Sequence, residues 1–443
     1  MENLVINGGK KLKGEVSIFG SKNVALKALV AACLTDEEVI IENVPLISDF
    51  LIMADIIKEL GGKVEIKDHE ASVRVEHFVK NRISLDKAAE IRTSFMFLAP
   101  LLARMGKAII PNPGGCRIGA RPIDRIVDGL KSMSVDTDYV SEDGYFHATC
   151  DSQGLLGTNY KFIKNTHTGT ETMILAAVLA NGQTVLENAA QEPEVDELIE
   201  FLIKMGAKIK KTKPRTIVID GVKKLHGARF KISPDRNEVV TFAVAAIITK
   251  GDIFIKDIQK KGLIEFLDIL EKAGGAFEEK GNGIRFYYKG ELKATEVVTS
   301  FYPGFMTDWQ GPWAVLMTTA KGISTIHETI YENRFSYVSE LKKMGAKIEL
   351  FKPKIKNPDS FYNFNINDDN GYFHAEKIYG PAILHNGAVN VSDLRAGATL
   401  VLAALAAKGE SVIFGLDHLD RGYEQFDKRL RVLGADIKRV VEK

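Results

Sequence analysis

Charged and polar side chains stand at the start of stretches that otherwise read as protein core. Lys22–Asn23 lead into VALKALVAACL, Arg92 into TSFMFLAPLL, Asp235–Arg236 into NEVVTFAVAAII, Asp308 into WQGPWAVLM, and Asp393–Arg395 into AGATLVLAALAA. A sixth stretch opens on His167–Thr168–Gly169–Thr170, polar without formal charge. An aspartate at a helix start is readily an N-cap or a first-turn acid. Lysine and arginine are different, because they oppose the positive end of the helix dipole. Several of them together point to a shared anion, since free N–H groups at helix starts also bind phosphates and carboxylates.

The loops add to this charge. The richest is PGGCRIGARPID, Pro113–Asp124, in which Gly114, Gly115 and Gly119 supply freedom while Arg117 and Arg121 supply charge. It approaches a nucleotide-binding G-x4-G loop, but Ala120–Arg121 stand where Lys-Ser/Thr is required, which argues against triphosphate hydrolysis. Cys116 lies beside Arg117, where positive charge favours the thiolate, whereas Cys33 in its Ala-rich stretch reads as inert. YENRFSYV (Arg334) and HLDRGYEQF (Arg421) occupy the same slot in later parts of the chain. The nine histidines form no HxxH or HExxH pair, Asp368–Asp369 lack ligand spacing, and no metal or cofactor is expected. There is no GxSxG elbow and no strand-linked GxGxxG. Trp309 and Trp313 read as packing groups on one helix.

These residues are carried by a repeat. One phrase recurs about every 70 residues: KELGGKV, KSMSVDT, IKMGAKI, EKAGGAF, KKMGAKI and RVLGADI, marked by Gly61, Ser134, Gly206, Gly274, Gly345 and Gly434. The last interval is longer by roughly 18 residues, assigned to the polar stretch Pro353–Tyr379. Each copy holds a helix apolar on every side, hence fully buried, then a strand, an amphipathic helix and one or two more strands. Six copies with a buried helix in each exclude an open solenoid. Three copies per domain predict two pseudo-threefold α/β domains.

Composition narrows the class. Lys+Arg 59 against Asp+Glu 58 leaves a net charge of +1, so no global field favours nucleic acid or an anionic membrane. Apolar runs such as Phe242–Ile248 fall well short of the ~20 residues that span a bilayer. MENLVINGGKKLKG lacks a signal-peptide core, and three cysteines without a CxxC pair make no disulfide framework. A cytoplasmic enzyme or large binding protein is expected.

Several long motifs then converge: GSKNVALKAL, PGGCRIGARPID, ENAAQEPEV, PDRNEVVTF, YPGFMTDWQ, ENRFSYVSEL, VSDLRAGATLVLA and HLDRGYE. With these the chain, from Met1 to about Val440, resembles the enolpyruvyl transferase family. The resemblance implies a two-domain inside-out α/β barrel of six βαβαββ repeats, three per domain. It places the domains at 22–233 and at 1–21 plus 234–443, with a substrate cleft between them. It implies transfer of enolpyruvate from phosphoenolpyruvate to the 3′-hydroxyl of UDP-N-acetylglucosamine with release of phosphate, the first committed step of peptidoglycan synthesis. In such an enzyme Lys22, Arg121 and Arg421 would hold the phosphate and carboxylate of phosphoenolpyruvate, with Arg92 and Arg395 nearby. Cys116 would act in protonation of the methylene carbon and in product release, and is the residue that fosfomycin alkylates in the family. Asp308 would take the proton of the acceptor hydroxyl. Asn23, Pro122, Ile123, Asp124, Lys164, Thr166, Asp235, Ile330, Arg334 and Asp393 would bind or position the substrates.

The chain departs from the family pattern at the third core helix. The usual stretch there is Lys-x-Ser-Val-Gly-Ala-Thr. Lys164 and the hydroxyl of Thr166 are kept, His167–Thr168 replace Val-Gly, Glu171 follows, and Arg125 comes after RPID. Another nucleotide or nucleotide-sugar acceptor, or a silent binding paralogue, are the competing readings. Retention of Lys22, Cys116, Asp308 and Arg395 together argues against the silent one.

Overall fold

Burial on every side accounts for the six central helices. In a computed structural model describing residues 2–115, 118–119, 123–368 and 371–441, helix Arg236–Ile248 has every residue buried. Helices Lys22–Ala32, His167–Ala177 and Leu394–Ala406 are buried over nearly all of their length. With no solvent face they need no polar stripe, and each buried Val, Leu or Ile contributes about 1.5–3 kcal/mol.

Two of the six depart from the single long helix that the sequence predicts. The second begins as a 3-10 turn, Arg92–Phe97, before the α-helix Leu98–Met105, and the fifth as Thr307–Trp309 before Gln310–Met317. Pro100 and Pro312 explain the change. Each stands third in its α-helix, where its missing N–H could not bond back to the preceding turn. The tighter turn presents Arg92 and Asp308 at the two starts.

Every repeat builds one small sheet with the same order. A short strand runs parallel to the strand after the core helix, and two antiparallel strands complete the set; the short strand comes from just before that helix in the third, fifth and sixth repeats and from a distant part of the chain in the first and fourth. In the second repeat a single parallel bridge, Arg82 with Ile109, stands in for the short strand. The described residues group into two compact units. The first lies within Phe19–Cys116 and Pro122–Ser233, the second within Met1–Ile18, Arg117–Arg121 and Pro234–Lys443. In the first unit, strand Arg229–Lys231 pairs with Val39–Glu42. In the second, Lys13–Ser17 pairs with Asp252–Lys256, and Glu2–Asn7 lies between Glu410–Phe414 and Asp436–Val441.

The marker of the repeat has a backbone reason. Gly61, Gly206, Gly274, Gly345 and Gly434 all have φ between 86° and 101°, and Ser134 adopts φ 64° at the same point. The chain must turn left-handed there to leave the amphipathic helix, which glycine does without steric cost. Within the second unit the three core helices pack on one another. A Cβ on Gly311 would fall 2.3 Å from Oγ1 of Thr399, so the approach of the last two depends on that glycine.

The inserted stretch lies between strands Ile348–Phe351 and Ala375–Gly380, so its end falls at residue 374 and Ala375–Tyr379 belong to a regular strand. It packs through Tyr362, Phe364 and His374 and ties back through the Asn363 N–H to the Thr329 carbonyl at 2.8 Å.

Candidate active site

The second unit gathers five of the expected residues, Asp235, Asp308, Arg334, Asp393 and Arg395. Asp393 caps helix Leu394–Ala406 by accepting from the N–H groups of Arg395 (3.0 Å) and Ala396 (3.1 Å), and takes the Ser336 hydroxyl at 2.7 Å. Asp235 caps helix Arg236–Ile248 through the Asn237 N–H at 2.7 Å. Both carboxylates therefore do structural work worth about 1 kcal/mol each. Asp308 does not cap. Its Oδ1 receives Nη2 of Arg334 at 2.8 Å and lies 3.6 Å from Nε of Arg395. Arg334 also lies 3.7 Å from Asp393. Burial works against the Arg334 guanidinium, but Asp308, Asp393 and Glu328 outweigh it and raise its pKa.

Arg395 is locked from behind. Its Nη1 donates to the Tyr423 hydroxyl at 2.9 Å, which stands 2.9 Å from Oγ1 of Thr241, and that hydroxyl donates to the Asn237 carbonyl at 3.0 Å. Since the guanidinium can only donate, the chain of donors runs one way, from Arg395 to Asn237. Asn237 in turn accepts the Trp309 indole N–H at 2.9 Å. These contacts bring the starts of the three core helices to one end of the unit, where their dipoles favour an anion.

Glu328 and Tyr423 escaped the sequence reading. Fully buried, Glu328 accepts the N–H groups of Ile330 (2.7 Å) and Tyr331 (3.1 Å) and the Thr307 hydroxyl (2.9 Å), fixing the segment that carries Ile330 and Arg334. Burial raises its carboxyl, against the pull of Arg334. The signal was a lone glutamate ending an apolar strand. Ile330 is buried. Arg421 follows the short helix Leu416–Asp420, two residues before Tyr423, and is partly exposed.

The first unit holds a separate set. Lys22 opens its helix and meets Asp49 at 2.7 Å, an ion pair that compensates the cation at the dipole's positive end. Asn23 follows it, partly exposed, and Arg92 opens the 3-10 turn. Ile123 and Asp124 begin helix Asp124–Ser132, whose Arg125 donates to the Asn165 carbonyl at 2.9 Å. That bond ties the helix start to the segment of Lys164 and Thr166. Thr166 is an N-cap, accepting the Gly169 N–H at 3.2 Å. Cys116, Arg121 and Pro122 lie outside the described residues.

The third helix start, read from sequence as uncharged, is part of a charged cluster. His167 Nε2 lies 3.1 Å from Oε1 of the fully buried Glu171, and Lys27 Nζ lies 3.2 Å from Oε2. A lysine and a glutamate inside two apolar runs were the available signal. Trp309 and Trp313 are buried among Phe266 and Phe305, as packing groups. Among the described residues, no group of three or more His, Cys, Asp or Glu could hold a metal ion, and no helix is long and apolar enough to cross a membrane.

Helices inside, small sheets outside and charged helix starts are the architecture of enolpyruvyl transferases. The chain belongs to the EPSP synthase (3-phosphoshikimate 1-carboxyvinyltransferase) family, whose sequence model matches residues 6–430. It is 40% identical over 446 residues to UDP-N-acetylglucosamine 1-carboxyvinyltransferase of Koribacter versatilis, covering 100% of this chain and 97% of that one. The Bartonella henselae protein of the same name is 40% identical over 455 residues, covering 99% and 100%. Among solved structures the fold is similar to the enolpyruvyl transferase NikO from Streptomyces tendae, with TM-score 0.87, 24% identity and coverage of 100% and 99%. EPSP synthase from Acinetobacter baumannii follows at TM-score 0.72, 17% identity and full coverage of both chains. The fold is thus the two-domain α/β barrel pair of six repeats.

Proposed function

We propose that this chain transfers the enolpyruvyl group of phosphoenolpyruvate to the 3′-hydroxyl of UDP-N-acetylglucosamine, releasing phosphate, in the cytoplasm and as the first committed step of peptidoglycan synthesis. The observation that carries the reading is the Asp308–Arg334–Asp393–Arg395 network, in a chain about 40% identical from end to end to proteins bearing that activity's name.

The chemistry sets the demands. The acceptor oxygen bonds to C2 of phosphoenolpyruvate while C3 gains a proton. The C2–O bond to phosphate then breaks as C3 returns a proton, leaving an enol ether. One base, one proton donor and several cations are needed. Asp308 is the base, oriented by Arg334. Cys116 is the donor at C3. Lys22, Arg121 and Arg421 hold the phosphate and carboxylate, with Arg92 and Arg395 adding charge. Asn23, Pro122, Ile123, Asp124, Asp235, Ile330 and Asp393 position the substrates. Lys164, Arg125 and the N–H groups after Thr166 meet the acceptor's diphosphate.

Phosphate release from phosphoenolpyruvate, measured with UDP-N-acetylglucosamine, other nucleotide sugars, free nucleotides and shikimate 3-phosphate, tests this reading. Release with UDP-N-acetylglucosamine above all others is expected. Release with a different acceptor would replace the acceptor, and release with none would leave a binding protein.

A further inference from the structure

The cluster of Lys27, Glu171 and His167 is unexplained by folding. Buried ion pairs seldom stabilise more than apolar residues of the same volume would, because desolvation offsets the attraction. Here the three groups lie on helices Lys22–Ala32 and His167–Ala177, whose other buried side chains are apolar except for Thr170 and Thr172. Glu171 is fully buried with neither oxygen in a hydrogen bond of good geometry. A quarter of the His167 side chain stays accessible (24%) at the first position of its helix, where a cation opposes the dipole. Lys164 lies three residues before it, and Arg125 is bonded to the intervening Asn165.

We propose that His167 is an acceptor-binding residue whose imidazolium, oriented by Glu171, adds a charged donor for the diphosphate of the nucleotide sugar. The inference rests on the function proposed above. The charged groups around the ring are Glu171 on its own helix, Lys27 from Lys22–Ala32, and Glu192 from the turn before Pro193–Lys204. Helix Asp124–Ser132 brings Arg125. Arg104 on Leu98–Met105 is turned to the carbonyls of Cys33 and Thr35. Burial lowers the His167 pKa, but Glu171 and Glu192 outweigh burial and Lys27, and the net shift is upward. Lys27 balances Glu171, so the imidazole proton adds one positive charge to the triplet. That charge is present below the raised pKa and lost as pH rises through it. The diester phosphates of the acceptor stay ionised throughout, so the change belongs to the protein.

The test is the KM for UDP-N-acetylglucosamine and for phosphoenolpyruvate between about pH 6 and 9, in the full chain and in His167→Gln and His167→Lys, with melting curves as a folding control. The acceptor KM of the unaltered chain should rise roughly tenfold toward high pH, the scale of one charge-assisted hydrogen bond. His167→Gln should hold the high value throughout, and His167→Lys the low one. The KM for phosphoenolpyruvate should follow one profile in all three. An unaltered acceptor profile in His167→Gln, or both KM values moving together, would overturn the inference while leaving the function standing. Absence of transfer to UDP-N-acetylglucosamine by the unaltered chain would remove both.

Discussion

Arg334 donates through Nη2 to Oδ1 of Asp308 at 2.8 Å while itself almost wholly buried, so the carboxylate expected to receive a proton is held by a guanidinium that cannot move aside freely. Glu328 fixes the backbone on one side of Arg334, and Asp393 lies on the other. The proposed base is thereby placed by packing and charge together.

Asp308→Asn should fold normally and lose turnover by roughly 10²–10⁴-fold, the scale of one acid–base group. The amide can still accept from Arg334 but cannot take the hydroxyl's proton. Steady-state kinetics beside a melting curve measure this. Turnover within a few-fold of the unaltered chain would remove Asp308 from the chemistry.

Thiol reactivity should single out Cys116. Burial pushes the Cys33 thiol up to about 12 and the Cys150 thiol up to about 11, so neither offers much thiolate near neutrality. Peptide mapping after stoichiometric treatment with fosfomycin should find the label on Cys116. A label mainly on Cys33 or Cys150 would defeat the argument from charge in that loop.

Much of the architecture was legible because it repeats locally. The left-handed exit after each amphipathic helix leaves a glycine in five copies, and the all-apolar helices announce burial directly. The pairing of Arg229–Lys231 with Val39–Glu42 was not legible from either segment, since a three-residue strand has no local mark of a partner so distant in the chain. At the site, the charged helix starts were visible. Whether each served a cap or a substrate was not, because Asp235, Asp308 and Asp393 look alike until their N–H partners are known. Lys27 was hidden inside a helix that read as plain core, and Glu171, visible as a departure from the family stretch, gave no sign that Lys27 and His167 would meet it.

Ser134 marks the one copy that keeps the left-handed turn without glycine. Ser134→Gly should stabilise the protein by ~0.5–1 kcal/mol, the left-handed penalty of ~1–2 less the backbone entropy of glycine. Thermal unfolding should shift up by a degree or two. A lower melting temperature would show that the serine makes a compensating contact.

Burial raises the Glu376 carboxyl to about 8, even though the Tyr337 hydroxyl donates to it at 2.8 Å. Its folded value lies above the ordinary 4.5, so between these limits the native protein keeps a proton that the unfolded chain has lost. Its contribution to stability therefore falls as pH rises through that window, by up to ~1.4 kcal/mol per pH unit. Glu376→Gln keeps an acceptor for Tyr337 and should flatten that decline in denaturant titrations from acid to mildly alkaline pH. Equal slopes in both proteins would count against it.

The transfer itself is tested most directly with phosphoenolpyruvate labelled with ¹⁸O at the oxygen bridging C2 and phosphorus, incubated with UDP-N-acetylglucosamine and this protein. Mass spectrometry of both products reads the outcome. The expected products are UDP-N-acetylglucosamine carrying an enolpyruvyl ether with unlabelled ether oxygen, and phosphate carrying the label, because the acceptor's own oxygen bonds to C2. Unchanged UDP-N-acetylglucosamine, or label retained in the organic product, would contradict it.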